Sequence, residues 1–199
     1  MPSAALIIAA VVIVAILTLV AWSSARRRRT EGLRHSARLQ EQFGSEYDRT
    51  LAETGDARSA EAELTARQER VSGFDIRHLA DDEGKRFDDE WLVVKASFVD
   101  DPSTAVRDAD ALLGRVMLAR GYPVADFEQR SADISVDHSP VLAHYRAAHE
   151  IALRDAQGQA TTEDLRQAVI SSHVLFSELV ENLVPVEVVA ETPVLVAAQ

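Results

Sequence analysis

The sequence predicts an all-α protein, with an N-terminal transmembrane helix followed by a helical bundle domain. Three observations lead there. Apolar residues run almost without interruption from Ser3 to Trp22. From Phe87 onward they recur every three to four positions, the period of an amphipathic helix. Strict alternation bounded by turn pairs is absent, with Val186 to Val189 near the end as the only approach to it.

The anchor comes first. Twenty residues, Ser3 to Trp22, make a helix of roughly 30 Å, the thickness of a bilayer's hydrocarbon core. Only Met1 and Pro2 precede the run, whereas Arg26, Arg27, Arg28 and Arg29 follow it. Because basic flanks stay on the cytoplasmic side, the expected topology is single-pass in the cell membrane, N-terminus outside and C-terminal domain cytoplasmic. A cleaved secretory signal fits less well, since it needs a basic leader, a core of ~7–15 apolar residues and a small-residue cleavage site. The four arginines are expected to meet anionic headgroups, at about 1 kcal/mol each.

Beyond Arg29 the chain carries 17 basic residues against 32 acidic ones, a formal charge of −15. Nucleic acid is therefore not an expected partner, because no stripe of positive charge is available to displace counterions from phosphates. There is no cysteine, which excludes disulfides, thiol catalysis and cysteine-type zinc sites. Arginine outnumbers lysine 19 to 2, a composition that points to a GC-rich bacterial genome.

Composition divides the chain into residues 1–29, the anchor with its basic flank; 30–73, a helical stalk or hairpin; 74–183, the helical bundle; and 184–199, a flexible tail. The stalk is rich in Arg, Glu, Gln and Ala. Its weak apolar faces are Leu33, Ala37 and Gln40, then Phe43, Tyr47 and Leu51, then Ala57, Ala60, Leu64 and Val71, with Gly44, Gly55 and Gly73 near the breaks. Between Asp81 and Val99, Phe87, Trp91, Val94 and Phe98 stand at i, i+4, i+7 and i+11, one continuous helical face and the expected centre of the core. Truncating Trp91 is expected to cost ~3–5 kcal/mol.

Asp100-Asp101-Pro102 ends that helix and opens another, with an aspartate cap before a proline at the first helical position. Its apolar side is Val106, Ala109, Leu112, Leu113, Val116 and Met117, and Gly121 and Pro123 stop it. Val124 to Ile134 is charged enough to predict at best a helical turn on the surface. Ser139-Pro140 opens a helix aligning Val141, Tyr145, Ala148 and Ala152, ended by Gly158. Thr161 and Asp164 form a variant capping box before the last helix. There Leu165, Val169, Ser172, Phe176, Leu179 and Leu183 make a heptad-like seam that Ser172 interrupts.

Carboxylates and imidazoles crowd only between Asp133 and Glu150, where Asp133, Asp137, His138, His144 and His149 also lie. Such groups can hold a metal or move protons. The spacing argues otherwise: His144 and His149, five apart, sit ~140° around a helix, not on one face as a zinc pair at i, i+4 requires. The expected roles are structural, with His138 in a polar loop, His144 solvated and His149 partly buried. Asp81, Asp82, Asp88, Asp89 and Glu90 lack the ligand spacing of a calcium loop. Neither a phosphate-cradling glycine loop nor a nucleophile elbow occurs. No catalytic, cofactor-binding or metal-ligating residue is assigned, and no cofactor is expected.

The run FVDDPSTAVRDADALLGRVMLARGYPVADFEQRSADISVDHSPVLAHYRAAH, Phe98 to His149, resembles a segment of a family of uncharacterised bacterial single-pass membrane proteins. FGSEYDRTLAETGD, Phe43 to Asp56, and TTEDLRQA, Thr161 to Ala168, extend the likeness over most of the expected cytosolic portion. The resemblance implies a helical cytosolic domain behind one membrane helix. It carries no activity, cofactor or catalytic residue to transfer.

The function expected is that of a membrane-tethered cytoplasmic helical module engaged in protein–protein interaction or scaffolding. Its partners would be the bilayer through residues 3–22, anionic headgroups at Arg26 to Arg29, and another protein. The alternative is a metal- or small-molecule-dependent enzyme or sensor using the His138 and His149 region. An α-bundle cavity holding a small molecule is the third possibility.

Overall fold

The structure is a computed structural model that describes Trp22, residues 33–123 and residues 125–181. All regular structure among these residues is helical, without a strand, as the apolar periodicity predicts. The described chain forms two compact units that divide between Thr65 and Ala66.

In the first unit, residues 33–43 are helical (α1), followed by α2 (Ser45–Thr54) and the first half of α3 (Ala57–Ser72). Gly44 and Gly55 stand at the breaks with φ of 49° and 82°, a region that residues bearing a Cβ rarely enter. Asp56 caps α3 by accepting the Ser59 amide at 3.0 Å. The Tyr47 hydroxyl donates to Glu61 at 3.2 Å, and Thr65 Oγ1 lies 3.5 Å from His35 Nε2. From His35 to Tyr47 the residue number rises while that of the α3 partner falls from Thr65 to Glu61, so α3 returns antiparallel to α1 and α2. Leu39, Phe43, Tyr47, Ala60 and Leu64 are buried, while Leu33, expected on a helical face, is 72% exposed.

The second unit contains the rest of α3, a connecting segment at 73–80, α4 (Asp81–Ser97), α5 (Pro102–Ala119), α6 (Phe127–Ile134), α7 (Ser139–Ala156) and α8 (Thr162–Val180). Local sequence explains most boundaries. Glu83 accepts the Ala80 amide at 2.9 Å and is gripped by Arg77 at 2.7 and 2.8 Å, which holds its carboxyl down to about 2. Asp101 accepts from the Thr104 amide at 3.0 Å and from its hydroxyl at 2.7 Å, with Pro102 next in line. Thr161 and Asp164 exchange side chain to amide bonds at 3.2 and 2.9 Å.

The end of α5 shows why one glycine is obligatory. Gly121 N–H donates to the Leu118 carbonyl and Tyr122 N–H to that of Met117, each at 3.0 Å, the paired bonds of a Schellman motif. Gly121 has φ of 98°, and a Cβ there would overlap the Asp75 carbonyl oxygen. Arg77 N–H donates to the Arg120 carbonyl at 2.8 Å, tying the 73–80 segment to the same turn.

Three expectations need correction. The core centres on α5 and α8, not on α4, because each of these two packs against α4, α7 and the other. In α8 the buried small residues Ala168, Ser171 and Ser172 let neighbouring helices approach on more than one side. By contrast α4 buries a single stripe, Phe87, Trp91 and Val94, with Phe98 half-buried at its end and Leu92 and Val93 facing solvent. Second, α6 is a two-turn helix with Ser131, Asp133 and Ile134 buried, where a surface turn was expected. Its charges misled because Asp133 goes inward with partners: Arg70 Nε donates to it at 2.9 Å and Gln129 Nε2 at 2.8 Å. Third, the buried face of α7 is Leu142, Tyr145, Ala148 and Ile151, with Val141 and Ala152 only half-buried. Apolar residues flank Tyr145 and Ala148 on both sides, so spacing alone could not set the rotation.

The main core joins Phe87, Trp91 and Val94 of α4 to Leu112, Leu113 and Val116 of α5 and Leu175, Phe176 and Leu179 of α8. Trp91 stacks on Phe176 with ring centroids 4.7 Å apart. A smaller cluster of Val106, Ala148, Ile151, Leu165 and Ala168 joins α5, α7 and α8 elsewhere along their lengths. No helix among the described residues is long and apolar enough to cross a membrane. The expected anchor up to Ala21, Arg26 to Arg29, Leu183 and the tail lie outside the described residues.

Candidate functional site

The groups that the sequence brings together between Asp133 and Glu150 are dispersed by the fold. Asp133 is buried against Arg70 and Gln129. Asp137 is exposed and accepts the Tyr122 hydroxyl at 3.2 Å. His138, expected in a polar loop, is only 5% exposed, and its Nδ1 lies 3.2 Å from Glu178 of α8. Burial pushes the His138 imidazole below its ordinary 6.5 and the nearby Arg120 charge adds to this, against the opposing pull of Glu178. His144 and Glu150 face solvent. His149 is half-buried, its ring flat against Phe127 with centroids 3.5 Å apart and planes 7° apart. Among the described residues no group of three or more His, Asp or Glu side chains is placed to hold a metal ion.

One of these groups, His149, does meet other residues at a cleft. It lies between α5 and α7 with α8 behind, has a volume of about 230 Å³, and is lined by Val106, Arg107, Asp110, Tyr145, Ala148, His149, Ala152, Leu153 and Ser172. The reason for the opening is side-chain size. Where α7 faces α5 it presents Ala148 and Ala152, and α8 contributes the serine that breaks its own apolar seam.

Polar groups are fixed around this space. Asp110 accepts the Tyr145 hydroxyl at 3.0 Å and Arg130 Nη2 at 3.1 and 3.3 Å. Arg130 also lies over the Tyr145 ring, 5.9 Å from its centroid. Burial, and next the Asp110 charge, push the Tyr145 phenol well above its ordinary value. At neutral pH it is thus a fixed hydrogen-bond donor. Arg107, one turn before Asp110 on α5, donates to Thr104 Oγ1 at 2.6 Å. Ser172 is 3% exposed at the base. The arrangement offers an acceptor, a cation and an imidazole above an apolar floor. It is suited to recognition, since the tyrosine is engaged as a donor and the aspartate is already held by two partners.

A second hollow of about 160 Å³, between α4 and α8, is lined by Trp91, Lys95, Val169, Ile170 and His173. The His173 ring lies 5.0 Å from that of Trp91, and burial and then Lys95 push its imidazole down.

The sequence alone does not single out Arg107, Asp110 or Arg130; it marks Ser172 only as a break in the α8 seam and Tyr145 as a core residue, which it also is. Two signals were present: Arg107 and Asp110 at i, i+3 along the edge of an apolar face, and Ser172 interrupting a seam. Comparison with protein-family models, with curated proteins and with solved structures finds no match to this chain.

Proposed function

We propose that the chain is a membrane-tethered helical module whose body faces the cytoplasm and binds another protein, in keeping with the resemblance to single-pass bacterial membrane proteins. The observation that carries this reading is the apolar run Ser3 to Trp22 followed closely by Arg26 to Arg29. The described body supports it with an exposed apolar stripe on α4. Leu92 and Ala96 stand at i and i+4 on α4 with Val93 beside them, Val99 follows in the turn after the helix, and Leu92, Val93 and Val99 are 56%, 68% and 84% exposed. Exposed Asp88 and Asp89 lie just before the stripe, in a region with a formal charge of −15. The partner that this surface fits has an apolar centre with a basic rim.

Photo-crosslinking from position 93 in intact membranes tests the reading. The expected result is an adduct with a protein that, when purified, binds the chain and loses affinity as salt rises. Absence of any adduct, or binding indifferent to salt, would count against it.

A second reading, in which the body senses a small molecule, is favoured by the cleft between α5 and α7. It keeps His149 as a lining group and leaves out His138, which is engaged with Glu178.

A further inference from the structure

The geometry points to a small zwitterion as the occupant of the cleft between α5 and α7: an α-amino acid with an apolar side chain. This inference rests on the small-molecule reading above and is independent of the tether and of any protein partner.

Size sets the first bound. A cavity of about 150 Å³ accepts benzene and pockets for drug-sized ligands begin near 300 Å³, so about 230 Å³ suits a ring or branched chain bearing one small head group. The floor sets the second. Val106 and Ala148 are buried beneath the opening and Ala152 and Leu153 border it, so the space favours an apolar side chain.

Charge then selects the head group. Arg107 and Asp110 both line the cleft and stand three residues apart on α5, a spacing that brings Cβ atoms within ~5–6 Å on one helix face. Opposite charges so placed match the ammonium and carboxylate of an amino acid, which sit close together on one carbon. Asp110 is ion-paired with Arg130, yet neither lining side chain has its hydrogen-bonding capacity filled by what it already holds. Arg107 gives one of its five N–H donors to Thr104. On Asp110, Oδ1 accepts from Tyr145 and Arg130, whereas Oδ2 accepts from Arg130 alone and keeps an acceptor position for an ammonium. Tyr145 and Arg130 hold that carboxylate in place before any ligand arrives, so little ordering accompanies binding.

The test is calorimetric titration of the full chain, in mild detergent, with L-leucine and L-phenylalanine. Each is compared with the acid lacking its ammonium and the amine lacking its carboxylate. We expect saturable binding of at least one amino acid, tighter than both analogues by at least about ten-fold, the factor that one charge-assisted hydrogen bond carries. Arg107→Gln, on an exposed residue, should remove the preference over the amine, and Asp110→Asn the preference over the acid. Circular dichroism of each unliganded variant should remain that of the parent. No binding of either amino acid, equal binding of an analogue, or an Arg107→Gln variant that binds as the parent does would each overturn the assignment. Crosslinking from position 93 reads a different surface, so the two proposals fail separately.

Discussion

Replacing Trp91 by alanine tests the packing account most sharply, because two opposing effects can be sized. Trp91 is 2% exposed and stacks on Phe176, with the His173 ring 5.0 Å away. Removing a buried tryptophan side chain costs about 3–5 kcal/mol, which includes lost transfer energy and the cavity left behind. Against this, the Trp91 indole N–H is buried without a hydrogen-bond partner among the described residues, and such an orphan costs about 1–3 kcal/mol that its removal recovers. The net expectation is a loss centred on about 2 kcal/mol, seen as a fall of roughly 5–10 °C in the midpoint of thermal unfolding. The assay is circular dichroism of the full chain in mild detergent, with Leu92→Ala as the internal control. Leu92 is the next residue on the same helix but 56% exposed, so its truncation should cost less than about 0.5 kcal/mol. Equal losses for the two variants would refute the placement of the α4 stripe against α8.

Other expectations follow from single contacts. Gly121→Ala should unfold the second unit or lower its midpoint severely in thermal melts, because φ of 98° is unfavourable for alanine and the new methyl would meet the Asp75 carbonyl oxygen. Arg70→Ala should cost about 1–3 kcal/mol by urea titration, since it leaves the buried Asp133 carboxylate with only Gln129 among its two donors. A midpoint unchanged in either variant would contradict the corresponding contact. For pH, the folded-state pKa of His138 lies below its unfolded 6.5, so the unfolded chain binds the extra proton. Stability from this group is present above pH 6.5 and is lost as pH falls toward the folded value. Melts between pH 7.5 and pH 5.5 should show a falling midpoint, and His138→Gln should flatten that slope; a slope unaltered by the substitution would contradict it.

Element boundaries were legible because their causes are local. Asp101 before Pro102, the exchange between Thr161 and Asp164, and Gly121 after Arg120 each act within one turn of chain, so residue type and spacing suffice. The α5 face was legible for a related reason: its apolar residues lie on one side only. The rotation of α7 was not, since Val141 and Leu142 are equally apolar and only the position of α8 selects between them. Charge misled twice. Asp133 and His138 read as surface groups, and both are buried because partners distant in sequence, Arg70 and Glu178, meet them in the fold. The cleft was least visible of all: Asp110, Arg130, Tyr145 and Ser172 come from four helices, and the opening exists through what small side chains fail to fill.

Topology is the claim on which compartment and partners depend, and one paired fusion measures it. A reporter active only in the periplasm and one fluorescent only in the cytoplasm, each joined to the C-terminus, should give fluorescence at the membrane and no periplasmic activity. Periplasmic activity, or chain recovered free in the medium, would contradict an anchor held with Arg26 to Arg29 on the inner side.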